Sequence, residues 1–149
     1  GAYSWAPDQT RVVFAMGPED TQRSAIFVTD VRTGVTDQLT DMSAWRMDTS
    51  FSPDGRRIGF SATEAGTGYD ADRDLYTIVV DTRRVTRLTD TDDHREHRPV
   101  WSPDGGWLAY DREPADRSTP VKSSVRRIAA DGSADLPLDV NGRVYGWVR

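Results

Sequence analysis

One ten-residue motif constrains this chain more than any other feature. Phe51-Ser52-Pro53-Asp54-Gly55-Arg56-Arg57-Ile58-Gly59-Phe60 returns as Trp101-Ser102-Pro103-Asp104-Gly105-Gly106-Trp107-Leu108-Ala109-Tyr110. A more divergent copy, Trp5-Ala6-Pro7-Asp8-Gln9-Thr10-Arg11-Val12-Val13-Phe14, stands first, and Trp147 begins a fourth. The copies start 46 to 50 residues apart. A period in this range, with several short strands per unit, points to propeller blades before any other architecture.

The residue types explain the motif. An aromatic ends one strand, Pro presets φ for the first corner of a turn, Asp tolerates the second and bonds to local backbone, and Gly takes the left-handed position that closes a hairpin. Ile58 and Phe60, like Leu108 and Tyr110, then alternate with small or polar residues as a half-buried strand does. The first copy has Gln9 where the others have Gly55 and Gly105. Keeping the left-handed conformation there costs about 1 kcal/mol, so the first blade is expected to be the loosest.

Each unit continues in the same order. A β-rich run follows a variable loop: Ala25 to Asp30, Leu75 to Asp81, and Val125 to Asp131. A short turn comes next, at Thr33-Gly34, Thr82-Arg83 and Gly132-Ser133. The last strand ends in Gln38-Leu39-Thr40-Asp41, Arg87-Leu88-Thr89-Asp90 or, more loosely, Leu136-Pro137-Leu138-Asp139. Four strands per unit is the content of a propeller blade, and the expected fold class is all-β, with about three four-stranded antiparallel blades.

Taken together, the aromatic-Ser-Pro-Asp-Gly turn, the aspartate-ended strand and the Leu-Thr-Asp run resemble the PD40 repeats of TolB-like β-propellers, over nearly the whole chain. The resemblance implies a propeller that binds other proteins in the bacterial cell envelope, as TolB does with six blades, and hence an extracytoplasmic setting. The residues themselves are compatible with either compartment. Similar repeats also occur in the propeller domains of prolyl-oligopeptidase-like peptidases and in some bacterial sugar lyases, which gives the alternative reading of a propeller belonging to an enzyme.

The blades are expected at 1–41, 48–90 and 98–139 of a single domain, with links at 42–47 and 91–97, and with 140–149 starting or closing a further blade. Propellers typically have four to eight blades, and an open stack leaves blade faces and strand edges uncovered. Either the chain is part of a longer protein or copies of it associate; a homodimer closing a six-bladed ring is the favoured expectation.

Composition narrows the function classes. A net charge of −5 argues against a general nucleic-acid binder, which needs clustered positive charge. No apolar run approaches the roughly 18 residues of a membrane span, and no basic-then-apolar leader is expected in the first residues. The absence of cysteine excludes disulfide and thiol chemistry. No Gly-x-Ser-x-Gly elbow is present. Ser52, Ser102, Asp54 and Asp104 recur with the turn and are read as turn residues, so no catalytic residue is assigned.

Asp70, Asp72 and Asp74 show the alternating carboxylates that open calcium loops, but Leu75 and Asp81 stand where the expected glycine and glutamate would be. A solvated acidic loop tip is therefore expected, with calcium the nearest cofactor and otherwise none. His94 and His97, within Asp92-Asp93-His94-Arg95-Glu96-His97-Arg98, have the residue types for a transition metal or an acid-base pair; in an extended segment, however, residues three apart point to opposite faces. These two, with Trp45, Arg46, Arg95, Arg143 and Tyr145, fall in the links between blades. Such links are expected to surround the channel mouth, where aromatics and arginines would bind a protein partner or a glycan.

Overall fold

The computed structural model describes residues 3–18, 23–41, 48–63, 72–116 and 123–141. Among the described residues it contains strands and turns, in three antiparallel meanders. The first comprises β1 (Tyr3–Trp5), β2 (Arg11–Met16), β3 (Ala25–Asp30) and β4 (Thr36–Gln38). The second comprises β5 (Asp48–Phe51), β6 (Arg57–Thr63), β7 (Arg73–Val79) and β8 (Val85–Arg87). The third comprises β9 (His94–Trp101), β10 (Trp107–Pro114), β11 (Ser124–Ala129) and β12 (Asp135–Asn141). Within each meander successive strands pair antiparallel, and β7 touches β9 in parallel at Arg73 and Arg95.

The recurring motif forms the first turn of every blade. Gly55 and Gly105 have φ of 68° and 71°, and Gln9 adopts 56°, so the first copy does keep the left-handed corner without glycine. Each of these residues donates its N–H to the carbonyl three residues back, on Ala6, Ser52 or Ser102. The Ser52 hydroxyl donates to Asp54 and accepts from the Arg57 N–H at 2.9 Å. That hydroxyl and the Arg56 N–H hold the Asp54 carboxyl below its ordinary range. Ser102 and Asp104 repeat the arrangement. In the first blade Ala6 has no hydroxyl to offer, and Thr10 donates to Asp8 instead, at 2.8 Å.

The Leu-Thr run closes the outer edge. The Leu39 and Leu88 N–H groups donate to the carbonyls of Ile26 and Leu75, both at 2.8 Å. Thr40 and Thr89 then accept the N–H of those same residues through their side chains. The threonine hydroxyl thus stands in for one more rung of the sheet, satisfying a donor that the sheet would otherwise leave buried.

The core lies between blades. One cluster joins Ala6, Val13, Ile26, Val28 and Leu39 of the first blade to Phe51, Ile58, Phe60, Ala62 and Ile78 of the second. Another joins Leu75 and Leu88 of the second to Trp101, Leu108, Tyr110 and Ile128 of the third. Contact is close: a Cβ on Gly59 would lie 2.5 Å from Leu108 Cδ2, and the Trp101 indole N–H donates to the Ser50 carbonyl.

Candidate functional site

At one end of the second and third blades, β6 ends, β7 begins, β8 runs into the link and β9 starts. His94, Arg95 and His97 are here. They were read from the sequence as part of a link between blades; the structure instead makes them the first residues of β9, paired with the charged end of β10. Pro99, which cannot donate to a ladder, sits in an irregularity of the pairing, where β9 carries an extra residue relative to Ala109 and Asp111. Arg98 absorbs the distortion at φ 51°. Its guanidinium is bound to Asp111, which is fully buried, and its N–H donates to Asp48 at 3.3 Å.

His94 and His97 lie on opposite faces of β9, as their spacing in an extended strand requires. They do not converge on a common ion. His94 Nδ1 lies beside the Asp93 carboxylate. His97 Nδ1 is 2.9 Å from Arg73 Nη1. A guanidinium only donates, so Nδ1 must accept and the imidazole proton sits on Nε2, 3.9 Å from Glu113. Burial, and then the neighbouring Arg73 cation, push the His97 pKa down to about 4. Arg95 and Arg98 act in the same direction and Asp48 opposes them. His97 is therefore a neutral imidazole in a locally positive setting at neutral pH.

The other face of this end holds a buried polar network. Asp74, expected at a solvated loop tip, is instead 4% exposed on β7. Its carboxylate is bound by Arg87 and accepts from the Thr89 hydroxyl at 3.2 Å and the Thr91 N–H at 3.1 Å. Burying a carboxylate is costly unless it is paired, and these donors supply the pairing. Thr89 and Thr91 also reach Glu96, which is fully buried and bound by Arg112 at 3.0 Å. Arg112 continues to Asp135, which accepts from the Tyr110 hydroxyl at 2.8 Å and from Arg126. Burial raises the Glu96 pKa, with Arg112 opposing, and burial together with the bond to Asp135 raises that of Tyr110. One chain of contacts thus runs from the second blade across β9 to the outer strand of the third.

The structure therefore places His94, Arg95 and His97 at the start of one strand but on both of its faces, and adds Arg73, Glu96, Arg98, Asp111 and Arg112, which sequence reasoning missed. The signal was present in Asp111-Arg112-Glu113, charges that continue an apolar strand and register against Arg95-Glu96-His97. Asp72 lies just before β7. Trp45, Arg46, Arg143, Tyr145 and Asp70 lie outside the described residues.

Three four-stranded blades sharing their cores face to face, joined by a polar seam at one end, define a β-propeller. Residues 1–136 match the PD40 model, described as the TolB β-propeller domain, and the chain belongs to that family. Two solved structures show the likeness in three dimensions. A TolB candidate from Agrobacterium tumefaciens is 27% identical with a TM-score of 0.76, over 94% of this chain and 50% of that one. TolB from Acinetobacter baumannii shares the fold at 24% identity and a TM-score of 0.71, over 96% of this chain and 33% of that one. Among curated proteins, the uncharacterized peptidase YuxL of Bacillus subtilis (strain 168) is 30% identical over 105 residues, 68% of this chain and 15% of the relative. The chain thus spans half or less of the length of each of these relatives.

Proposed function

We propose that the chain is a non-enzymatic propeller module that binds a protein partner outside the cytoplasm, through the end of the blades where β9 begins, and that a second copy of the chain completes its ring. The observation that carries the binding site is the partly exposed polar surface where β9 begins, with Arg73 against His97 and Glu113 beyond it. The likeness to the TolB structures supports the envelope setting and the protein partner. Among the described residues no helix is long and apolar enough to cross a membrane.

The test is capture from an envelope extract on the immobilised chain, run beside a variant carrying His94→Ala and Arg95→Ala. A defined partner should be recovered by the parent and reduced at least about tenfold by the variant, the scale of a hot-spot loss. Equal recovery would place the contact elsewhere, and recovery abolished by glycosidase treatment would make the ligand a glycan. No cofactor enters this reading: Asp74 is already engaged by Arg87, Thr89 and Thr91. Chelation is expected to leave the melting temperature unmoved, and a fall would instead indicate a bound, stabilising cation.

A second reading, a propeller belonging to a peptidase, is favoured by the similarity to YuxL. It predicts that the polypeptide carrying this chain in the cell is labelled by a serine-reactive fluorophosphonate; absence of labelling removes it.

A further inference from the structure

The seam between the second and third blades is fastened at both ends, by groups that answer differently to acid. At the turn end, Arg57 lies over Trp101 at 4.6 Å and donates to the Gly105 carbonyl at 3.1 Å. Arg11 does the same one seam earlier, 5.5 Å from the Phe51 centroid and 3.2 Å from the Gly55 carbonyl. In each case the arginine stands in its own blade's motif, six residues after the opening aromatic, and clasps the aromatic and turn of the following blade. The third blade has Trp107 at that position. A guanidinium keeps its proton at any pH a folded protein meets, so these clasps do not titrate.

At the opposite end the fastening is a histidine. β7 and β9 run side by side there, with Arg73 opposite Arg95 in a parallel rung. Further along β9, His97 takes the Arg73 guanidinium on Nδ1 at 2.9 Å. That bond exists only while the nitrogen keeps its lone pair: a proton on Nδ1 leaves two donors and two cations face to face. The surroundings act the same way. Arg95 and Arg98 stand on the strand of His97 itself, and Asp111, opposite it on β10, is committed to Arg98. From β5, Asp48 accepts from the Arg98 N–H and from the Ser61 hydroxyl of β6. Glu113 of β10, 3.9 Å from Nε2, is the carboxylate toward which a cationic ring turns, away from Arg73. On the other face of β9, Thr89 and Thr91, which follow β8, donate to Glu96. A hydroxyl donates to a protonated carboxyl as it does to a carboxylate, so that link persists in acid.

We propose that Arg73 and His97 form an acid-sensitive latch between the second and third blades: proton uptake at His97 Nδ1 expels the Arg73 guanidinium and frees the starts of β7 and β9 from each other, while the apolar seam and the Arg57 clasp hold. The latch is shut at neutral pH, because burial and then the Arg73 cation keep the His97 pKa down at about 4. It belongs to the chain itself and operates with or without a partner at this end.

The experiment is hydrogen exchange of the whole chain, read by mass spectrometry at about pH 7 and about pH 3.5 and corrected for the pH dependence of intrinsic exchange, on the parent and His97→Asn. Asparagine places an uncharged amide oxygen where Nδ1 accepts, so its latch stays shut in acid. In the parent, protection at the starts of β7 and β9 should fall about tenfold or more on acidification, the scale of a lost bond to a charged group, while β2 and β3 hold. In His97→Asn it should stay level. A parent with unchanged protection overturns the latch, and so does an equal fall in the variant, which assigns the acid response to the carboxylates of this end. A fall shared by β2 and β3 is global and likewise overturns it. Should the variant fail to fold, nitrogen NMR of the parent reads the same contact: His97 Nδ1 should be unprotonated at neutral pH and gain its proton near pH 4 as the Arg73 guanidinium signal shifts. A proton on Nδ1 at neutral pH overturns the latch.

Discussion

A buried residue and a half-buried one give the fold opposite responses to acid. Glu96 has its pKa raised by burial above the 4.5 of a free glutamate, so the folded state holds the proton more tightly than the unfolded chain. Its contribution to stability is fully present below pH 4.5 and is lost as the pH rises through the raised folded value. Glu96→Gln should therefore compare best with the parent at neutral pH and progressively worse toward pH 4, in paired chemical denaturation curves; the reverse trend would refute the assignment. His97 runs the other way. Its pKa falls from 6.5 to about 4 on folding, so stability present above pH 6.5 is lost as the pH drops toward 4. At about 1.4 kcal/mol per pH unit this is of the order of 3 kcal/mol, and His97→Asn should flatten that part of the profile. Gln9 carries a purely backbone effect. Gln9→Gly relieves about 1–2 kcal/mol at a left-handed corner and costs about 0.5–1 kcal/mol in the unfolded chain, for a net gain of about 0.5–1 kcal/mol in unfolding free energy, read as a raised denaturation midpoint.

The turn is an element whose two solutions occur side by side in the same chain. Ser102→Ala removes a hydroxyl that both donates to Asp104 and accepts from the Trp107 N–H, at a cost of about 1–2 kcal/mol. Adding Gly106→Thr should recover part of the loss by supplying the bond that Thr10 makes to Asp8 in the first blade; no recovery in the double variant's melting curve would mean that the two turns are not equivalent. These turns, and the alternation of strands around them, were legible because their partners lie within five residues. The Leu-Thr edge was legible as a recurring pattern but not as chemistry, since its threonines bond to a strand fourteen residues back. His94 to His97 misread as a link because a strand bearing charge on both faces has no apolar alternation to announce it; its complement, Asp111 to Glu113, appears only once β9 and β10 are in register. The arginine clasps stayed hidden for a like reason, each reaching 44 or 48 residues along the chain.

At the scale of the whole molecule, blades share their apolar cores, so none is expected to melt alone. Leu108 is fully buried against its neighbours in the second and third blades. Leu108→Ala should cost about 2–5 kcal/mol and still give one coincident transition by near-ultraviolet and far-ultraviolet circular dichroism; two separated transitions would show that the blades are independent. The clasp has a further meaning for how such a chain grows. Its giving and receiving halves are written in the same ten residues, so duplicating one unit duplicates a finished joint, and the copy fits its parent without any new invention. A unit that keeps the receiving aromatic but has exchanged its arginine, as the third has at Trp107, can still follow an ordinary neighbour, but whatever follows it must answer to a different residue.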